Sequence, residues 1–381
     1  MLNSWLIENQ LKLHKKGVLN MNFVPTGLAT GIGSLPHKDP AYAVSLVRKF
    51  FPYIPHWPQL PKLTPLEGYL HQFLECLLQL GLLKVDNGRS PMFACDEPDW
   101  PDRLARFYEL YIEVSAGNKE LLAQFAFPSG AAEGFYHLVE DLSEKGVGEA
   151  QYLKGQVVGL LSVGFQITDP QGKPAYYDPQ LRDVLLKQLC LQAAWQVHTL
   201  GRFGLPVLIF MDDPVIYRCG SFDSIGVARE DVVAALREFA TFLRNEGAIV
   251  GVHTCADLDW SILFESELDV ISFDTYQFAD SFCLYSELLQ NFLEHGGVVA
   301  WGIVPTSQEV FQENGETLKR FTVGFLQRLQ EKKVDLQLLR SQSLVTPACG
   351  TGTLTEEAAL RIYELTSELA AGWSELFQNL A

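Results

Sequence analysis

Short hydrophobic runs alternate along the chain with longer stretches of amphipathic or helical pattern. The hydrophobic runs predict eight β-strands, at residues 27–36, 53–59, 155–163, 206–213, 248–255, 269–276, 297–305 and 343–349. Strands that alternate with helices are typical of parallel βα units. Eight such units favour an α/β fold of the (β/α)8 TIM-barrel type.

The helical patterns lie at about 181–202, 228–246, 280–295, 307–331 and 355–379. Residues 60 to about 151 separate the second and third strands, which is far more than one helix requires. We predict a helical insertion there, with helices at 65–83 and 102–124, near the barrel mouth. The expected organisation is an N-terminal extension (1–22) followed by one catalytic barrel (23–381).

Composition narrows the class of protein. The chain has 381 residues, 48% hydrophobic and 20% charged, with a net charge of −17. An acidic surface repels phosphate groups, so we expect neither nucleic acid nor membrane as a partner. No hydrophobic run approaches the roughly 20 residues of a membrane span, and no signal peptide is recognisable, which predicts a cytoplasmic protein. Seven cysteines without paired spacing indicate reduced thiols.

Four potential metal ligands lie at or just after predicted strand ends. They are His253, Cys255, Asp274 and Cys349. In a barrel, the carboxyl ends of all strands meet at one mouth. Thiolates, an imidazole and a carboxylate are ligands that Zn²⁺ accepts in a tetrahedral site. The pattern by itself is equally compatible with a buried cysteine pair beside a hydrogen-bonded histidine.

Five segments, taken in order, resemble the C-terminal catalytic barrel of cobalamin-independent methionine synthases. That family shares a superfamily with uroporphyrinogen decarboxylases and with corrinoid-linked coenzyme M methyltransferases. The segments are ATGIGSLPHKDP (29–40), FMDDPVI (210–216), VHTC (252–255), DVISFDT (269–275) and TPACG (346–350). The similarity extends from about residue 27 to 360.

The resemblance implies a cofactor and a set of site residues. Zn²⁺ would be bound by the four residues named above, and would activate the substrate thiol. Ile32, Gly33 and Ser34 would contact the backbone of homocysteine, and Asp212 would bind its amine. Asp213 would either join Asp212 or order the strand end. His37 would act as an acid or contact the donor, or would be only a turn residue.

Three departures from the family change the expected substrates. Asp274 stands where the family usually has glutamate. The family's second, N-terminal barrel, which helps to bind folate, has no counterpart in this sequence. A corrinoid protein carrying a methylcobamide is therefore a plausible methyl donor. The glutamate that binds the homocysteine amine after the second strand has no clear match, and HWPQLP (56–61) and Glu67 lie there instead.

The expected function is zinc-dependent methyl transfer to a small-molecule thiol that resembles homocysteine. Coenzyme M is an alternative acceptor. A metal-free enzyme like uroporphyrinogen decarboxylase is a second alternative, but it would need an N-terminal arginine cluster, and the first arginine here is Arg48. A third alternative is a non-enzymatic scaffold that binds zinc or a corrinoid partner.

Overall fold

Seven parallel strands form the central sheet of the computed structural model, which describes residues 23–85, 91–219 and 227–379. They are β1 (Leu28–Ala29), β4 (Leu153–Val158), β5 (Val207–Asp212), β6 (Ile249–Thr254), β7 (Val270–Phe273), β8 (Val298–Val304) and β9 (Ser343–Pro347). Their order is β1-β9-β8-β7-β6-β5-β4. The predicted α/β class and parallel pairing are confirmed. The predicted extension 1–22 lies outside the described residues.

The segment 54–59 connects the two edges of this sheet. Gln59 forms a parallel bridge with Ser34, which follows β1, and His56 forms one with Lys154 in β4. Backbone hydrogen bonds support both bridges, from Gln59 N to Gly33 O (3.1 Å) and from Lys154 N to Pro55 O (3.0 Å). Because one segment pairs with both edge strands, the sheet is curled, as in TIM-barrel-like folds.

Helices follow most strands. They are α1 (Pro40–Phe50), α2 (Tyr69–Phe73), α3 (Glu75–Gln79), α4 (Trp100–Ser115), α5 (Glu133–Lys145), α6 (Leu160–Gln166), α7 (Pro179–Gly201), α8 (Arg229–Asn245), α9 (Ser261–Glu265), α10 (Thr275–Phe282), α11 (Ser286–Glu294), α12 (Gly315–Glu331), α13 (Leu336–Ser341), α14 (Glu356–Ala371) and α15 (Trp373–Leu376). Short 3-10 helices lie at Pro65–Glu67, Lys119–Phe125, Ala175–Tyr177, Pro214–Arg218, Cys283–Tyr285, Gln308–Gln312 and Phe377–Asn379. The helices predicted in the second half of the chain, from 181–202 onward, are present. The stretch predicted at 280–295 is divided by the 3-10 helix Cys283–Tyr285.

The chain between the segment 54–59 and β4 contains helices α2 to α5 and a two-stranded hairpin, β2 (Leu83–Lys84) with β3 (Met92–Phe93). The 3-10 helix Lys119–Phe125 and helices α2 and α4 contact α7. These contacts explain why α7 is buried on nearly all sides, since a helix covered from both sides has no polar face. The helix predicted at 65–83 is broken at Gly68 and Leu74.

The inside of the curled sheet is hydrophobic at the amino ends of the strands. Alternate residues point inward, among them Leu208, Phe210, Ile249, Val270 and Leu344. Further along the strands the inward positions become polar, because Asp212, His253 and Ser272 occupy paired positions of neighbouring strands. The functional site is therefore expected on this polar layer, at the carboxyl ends.

Within the described ranges, none of the helices combines the length and the hydrophobicity needed to cross a membrane.

Candidate metal centre

His253, Cys255 and Cys349 form a cluster at the carboxyl ends of the strands. Their side-chain ligand atoms all lie within 4.8 Å of one another. His253 is the last inward-facing residue of β6, and Cys255 follows that strand directly. Cys349 lies in the turn after β9. Two strands that are three positions apart in the sheet thus contribute to one cluster, which requires the sheet to curl.

A serine on the next strand orients the His253 ring. Ser272 Oγ lies 2.9 Å from His253 Nδ1, and the two residues are register partners of β6 and β7. The other ring nitrogen, Nε2, is buried and has no hydrogen-bond partner among the described residues. Metal-binding histidines typically use one nitrogen for the metal and the other for such an orienting hydrogen bond.

The two cysteines interact directly. A hydrogen bond from the Cys349 thiol, together with His253, lowers the pKa of Cys255 well below that of an ordinary thiol. The same hydrogen bond, together with burial, raises the pKa of Cys349. The environment of Cys255 thus favours its thiolate, which is the form of cysteine that binds metals.

This donor set fits a zinc ion. Two thiols and an imidazole are three of the four ligands of a typical tetrahedral zinc site, and a catalytic site keeps its fourth position for substrate or water. His253 Nε2 is buried without a well-formed hydrogen bond among the described residues, and a metal ion would satisfy it. His253, Cys255 and Cys349 could therefore hold the ion.

Asp274, the fourth predicted ligand, lies outside the group of ligand atoms within 4.8 Å. Its carboxylate caps helix α10, where one oxygen accepts from Gln277 N (3.0 Å) and the other from Gln277 Nε2 (2.9 Å). Burial raises its pKa to about 6. The charges of His253 and Cys255 also affect the pKa of Asp274. The hydrogen bonds to Gln277 fix its carboxylate at the first turn of α10. Its role as a ligand stays a prediction.

Adjacent Asp212 and Asp213 have different environments. Asp213 is fully buried and accepts from Leu161 N (2.7 Å), Ser162 N (3.2 Å), Ser162 Oγ (2.8 Å) and Val215 N (3.2 Å). It therefore joins the start of α6 to the end of β5. Asp212 faces inward as the register partner of His253, and its Oδ1 is buried without a partner. Only Asp212 keeps an acceptor for a ligand.

The predicted substrate loop at Ser34 packs against the loop that carries Cys349. Thr351 N donates to Ser34 O (2.9 Å), and Gly352 N donates to Ser34 Oγ (3.1 Å). A Cβ atom on Gly350 would lie 2.3 Å from Ser34 Oγ. A side chain at Gly350 would displace the Ser34 hydroxyl, so glycine preserves this close approach between the first and last motifs.

Ile32 and Gly33, which precede Ser34, accept hydrogen bonds from residues of the barrel. Ile32 O accepts from Lys154 Nζ (2.7 Å), and Gly33 O accepts from Gln59 N (3.1 Å). The backbone carbonyls of Ile32 and Gly33 are therefore used within the protein.

His37 is buried beside the ring of Tyr42, and its Nδ1 has no partner among the described residues. Burial lowers its pKa, and Glu356 opposes that shift. A neutral imidazole is the form expected there at neutral pH.

Two polar residues of β4 that face the site were not among the predicted site residues. Lys154 and Gln156 are fully buried and face inward. Burial lowers the pKa of Lys154, and the charge of Asp212 opposes that shift. Isolated polar residues in a hydrophobic strand form no recognisable pattern. The hydrogen-bond partners of Lys154 and Gln156 lie about a hundred residues away in sequence. The only available signal was a glutamine inside the predicted strand 155–163 and a lysine directly before it.

Glu67, which lies after the second predicted strand, where the related family has an amine-binding glutamate, is used within the protein. It accepts from Leu60 N (3.3 Å), Gln72 Nε2 (2.9 Å) and Glu133 N (2.8 Å). All seven cysteines are free thiols, as predicted. The cysteines outside the cluster (Cys76, Cys95, Cys190, Cys219 and Cys283) belong to no described group of potential metal ligands.

No family model matches the chain, and no curated protein matches it either. Among solved structures, the chain is similar to a B12-independent methionine synthase from Shewanella sp. W3-18-1, determined in complex with selenomethionine. The sequence identity is 15% and the TM-score is 0.41, and the match covers 63% of this chain and 67% of the other. The function proposed below therefore depends on the residues of the site.

Proposed function

We propose that this protein is a zinc-dependent methyltransferase that transfers a methyl group to the sulfur of a homocysteine-like thiol. The observation that carries the proposal is the cluster of His253, Cys255 and Cys349, whose ligand atoms lie within 4.8 Å and include a buried, unpartnered Nε2. The proposal includes a complete (β/α)8 barrel, with the segment 54–59 in the place of the second strand and residues 60–151 inserted after it.

Each residue of the cluster has a chemical role in this proposal. His253, Cys255 and Cys349 hold the ion, and Ser272 keeps the histidine ring in place. A bound zinc ion lowers the pKa of a coordinated thiol from about 8.5, so that a thiolate is present at neutral pH. The sulfur of the substrate then forms a bond to the methyl carbon while the bond between that carbon and the donor breaks. Asp274 is proposed as a further ligand.

The residues around the cluster bind the rest of the acceptor. The inward carboxylate of Asp212 binds an ammonium group, and Ser34 offers its hydroxyl to a carboxylate. The unpartnered Oδ1 of Asp212 favours an amino thiol over coenzyme M, because a sulfonate would be repelled by a carboxylate. A metal-free decarboxylase leaves the cluster of two thiols and an imidazole without a role.

The donor is proposed from the sequence resemblance. A corrinoid protein that carries a methylcobamide supplies an electrophilic methyl group without any need for a folate-binding domain. The acceptor in this reaction is a small molecule, and we propose that the protein acts in the cytoplasm.

Metal content and thiol binding test the proposal. Protein purified without added metal should contain about one zinc per chain, and homocysteine should bind with release of a proton. Cys255→Ser and Cys349→Ser should lose most of the metal while the barrel stays folded. Cys95→Ser, which changes a half-buried cysteine outside the cluster, should retain it. Stoichiometric zinc in both cluster variants, or no zinc uptake by the unmodified protein, would contradict the proposed site.

A further inference from the structure

Gln156 is a buried polar side chain that the proposed function leaves without a role. It lies on β4, between the strand of Asp212 and the segment 54–59. Its register partner on β5 is Phe210, which faces the barrel interior. Gln156 is fully buried, so its amide must find hydrogen-bond partners inside the barrel or from a ligand.

Contacts with the segment 54–59 determine the orientation of the amide. Gln156 Nε2 donates to Trp57 O (3.1 Å) and lies 3.5 Å from Gln59 Oε1. Both partners are acceptors, so the nitrogen and oxygen of the amide cannot be exchanged. The remaining corner, Oε1, is buried and has no partner among the described residues.

The amide lies at the level of the predicted substrate loop. A Cβ atom on Gly33 would lie 2.8 Å from Gln156 Nε2, so glycine at this position gives the glutamine its space. Gly33 precedes Ser34, the residue proposed to bind the substrate carboxylate. Asp212, proposed to bind the ammonium group, is on the neighbouring strand, one inward position beyond Phe210. Gln156 thus lies between the two groups that are proposed to bind the non-thiol end of the acceptor.

We infer that Gln156 is a specificity-determining residue, whose Oε1 accepts a second hydrogen bond from the ammonium group that Asp212 binds. Two buried acceptors without donors, Gln156 Oε1 and Asp212 Oδ1, belong to neighbouring strands and lie one inward position apart. A primary ammonium group carries three donors and satisfies both. This inference rests on the proposed function and deepens it, because it assigns discrimination between amino thiols and thiols without an amine to a named residue.

The test compares homocysteine with 4-mercaptobutyrate, which lacks only the amino group. Dissociation constants are measured by calorimetry on the zinc-loaded protein. Gln156→Leu should weaken the binding of homocysteine at least about tenfold, because a hydrogen bond to a charged group is lost. The affinity for 4-mercaptobutyrate should change little. If Gln156→Leu does not fold, Gln156→Met provides the same comparison.

Gln188→Leu is the matched control. Gln188 is equally buried and donates from Nε2 to a carbonyl, Phe73 O (2.8 Å), with an unpartnered Oε1, but it lies on α7. Its replacement should leave both affinities unchanged.

Equal weakening of both thiols by the Gln156 replacement, or no weakening of either, would overturn the inference while leaving the proposed function intact. If the unmodified zinc-loaded protein binds neither thiol, the proposed function fails, and the inference fails with it.

Discussion

Ser272 Oγ lies 2.9 Å from His253 Nδ1, across two neighbouring strands, and this contact points the other ring nitrogen at Cys255 and Cys349. Ser272 and His253 are both buried, so neither side chain has water as an alternative partner. The serine therefore selects one ring orientation. Without it, the imidazole could rotate, and the cluster would lose its only nitrogen ligand.

Ser272→Ala should lower the affinity for zinc about tenfold, because residues that orient a ligating histidine typically contribute 10- to 100-fold. Competition with a chromophoric chelator measures this effect. Ser343→Ala is the control, since Ser343 Oγ also accepts from a buried ring nitrogen, Trp301 Nε1 (2.8 Å). That variant should lose about 1–3 kcal/mol of stability and no zinc affinity. Equal zinc affinity of Ser272→Ala and wild type would refute the orienting role.

Asp274→Asn separates the role of this residue as the N-cap of α10 from its proposed role as a zinc ligand. Asparagine is as good an N-cap as aspartate, so helix α10 should remain folded, while the anionic ligand is lost. Because both carboxylate oxygens bind Gln277, zinc affinity should fall less than in Cys255→Ser. The same chelator competition measures it. An unchanged zinc affinity of Asp274→Asn would contradict the proposal that Asp274 is a further ligand.

Asp212→Asn and Asp213→Ala should affect different properties. Asp213→Ala removes the acceptor of four donors and should cost about 3 kcal/mol or more of stability in urea unfolding. Asp212→Asn should weaken homocysteine binding and should cost less stability than Asp213→Ala, because Asp212 Oδ1 has no hydrogen-bond partner and the loss is confined to the charge that stabilises buried Lys154. The reverse assignment of stability and affinity losses would contradict the interpretation of these two residues.

The long hydrophobic strands were predictable from the sequence. The strands expected at 206–213 and 248–255 are β5 (Val207–Asp212) and β6 (Ile249–Thr254). Buried parallel strands read as continuous hydrophobic runs, and this pattern is strong in both. The first strand was overestimated, since only Leu28–Ala29 pairs with β9 and the chain then turns through the glycines of the GIGS motif.

Helix α1 was missed although its start carries a clear signal. Asp39 accepts from Tyr42 N (3.0 Å) as the N-cap, and Pro40 occupies the first turn. Helix α6 has only seven residues, and its start depends on the distant Asp213. Such a helix is determined by tertiary contacts and not by a local pattern.

For the site, the motif order was enough to select His253, Cys255 and Cys349. It assigned the amine contact to Asp212 but left the role of Asp213 open, because adjacent residues of a strand face opposite sides and the register is a tertiary property. It could not reveal that Gln277 engages Asp274, since that depends on the first turn of α10. The roles of Lys154 and Gln156 could not be predicted, because their hydrogen-bond partners, Ile32 and Trp57, are distant in sequence.

Glu67 predicts a dependence of stability on pH. Burial raises its pKa from 4.5 to about 7, although backbone N–H groups of Glu133 and Leu60 donate to it and oppose the shift. The folded state therefore takes up a proton at Glu67 at a higher pH than the unfolded state does. The stability from this uptake is complete below about pH 4.5 and is lost as the pH rises through about 7.

Comparison of wild type with Glu67→Gln isolates this contribution. The difference in unfolding free energy between them should shift in favour of wild type by about 2 kcal/mol between pH 8 and pH 5. Urea unfolding at several pH values measures it. The control is Glu316→Gln, which changes an 81% exposed side chain and should follow wild type at every pH. A constant difference between wild type and Glu67→Gln would mean that Glu67 stays ionised, held by its three hydrogen-bond donors despite its burial.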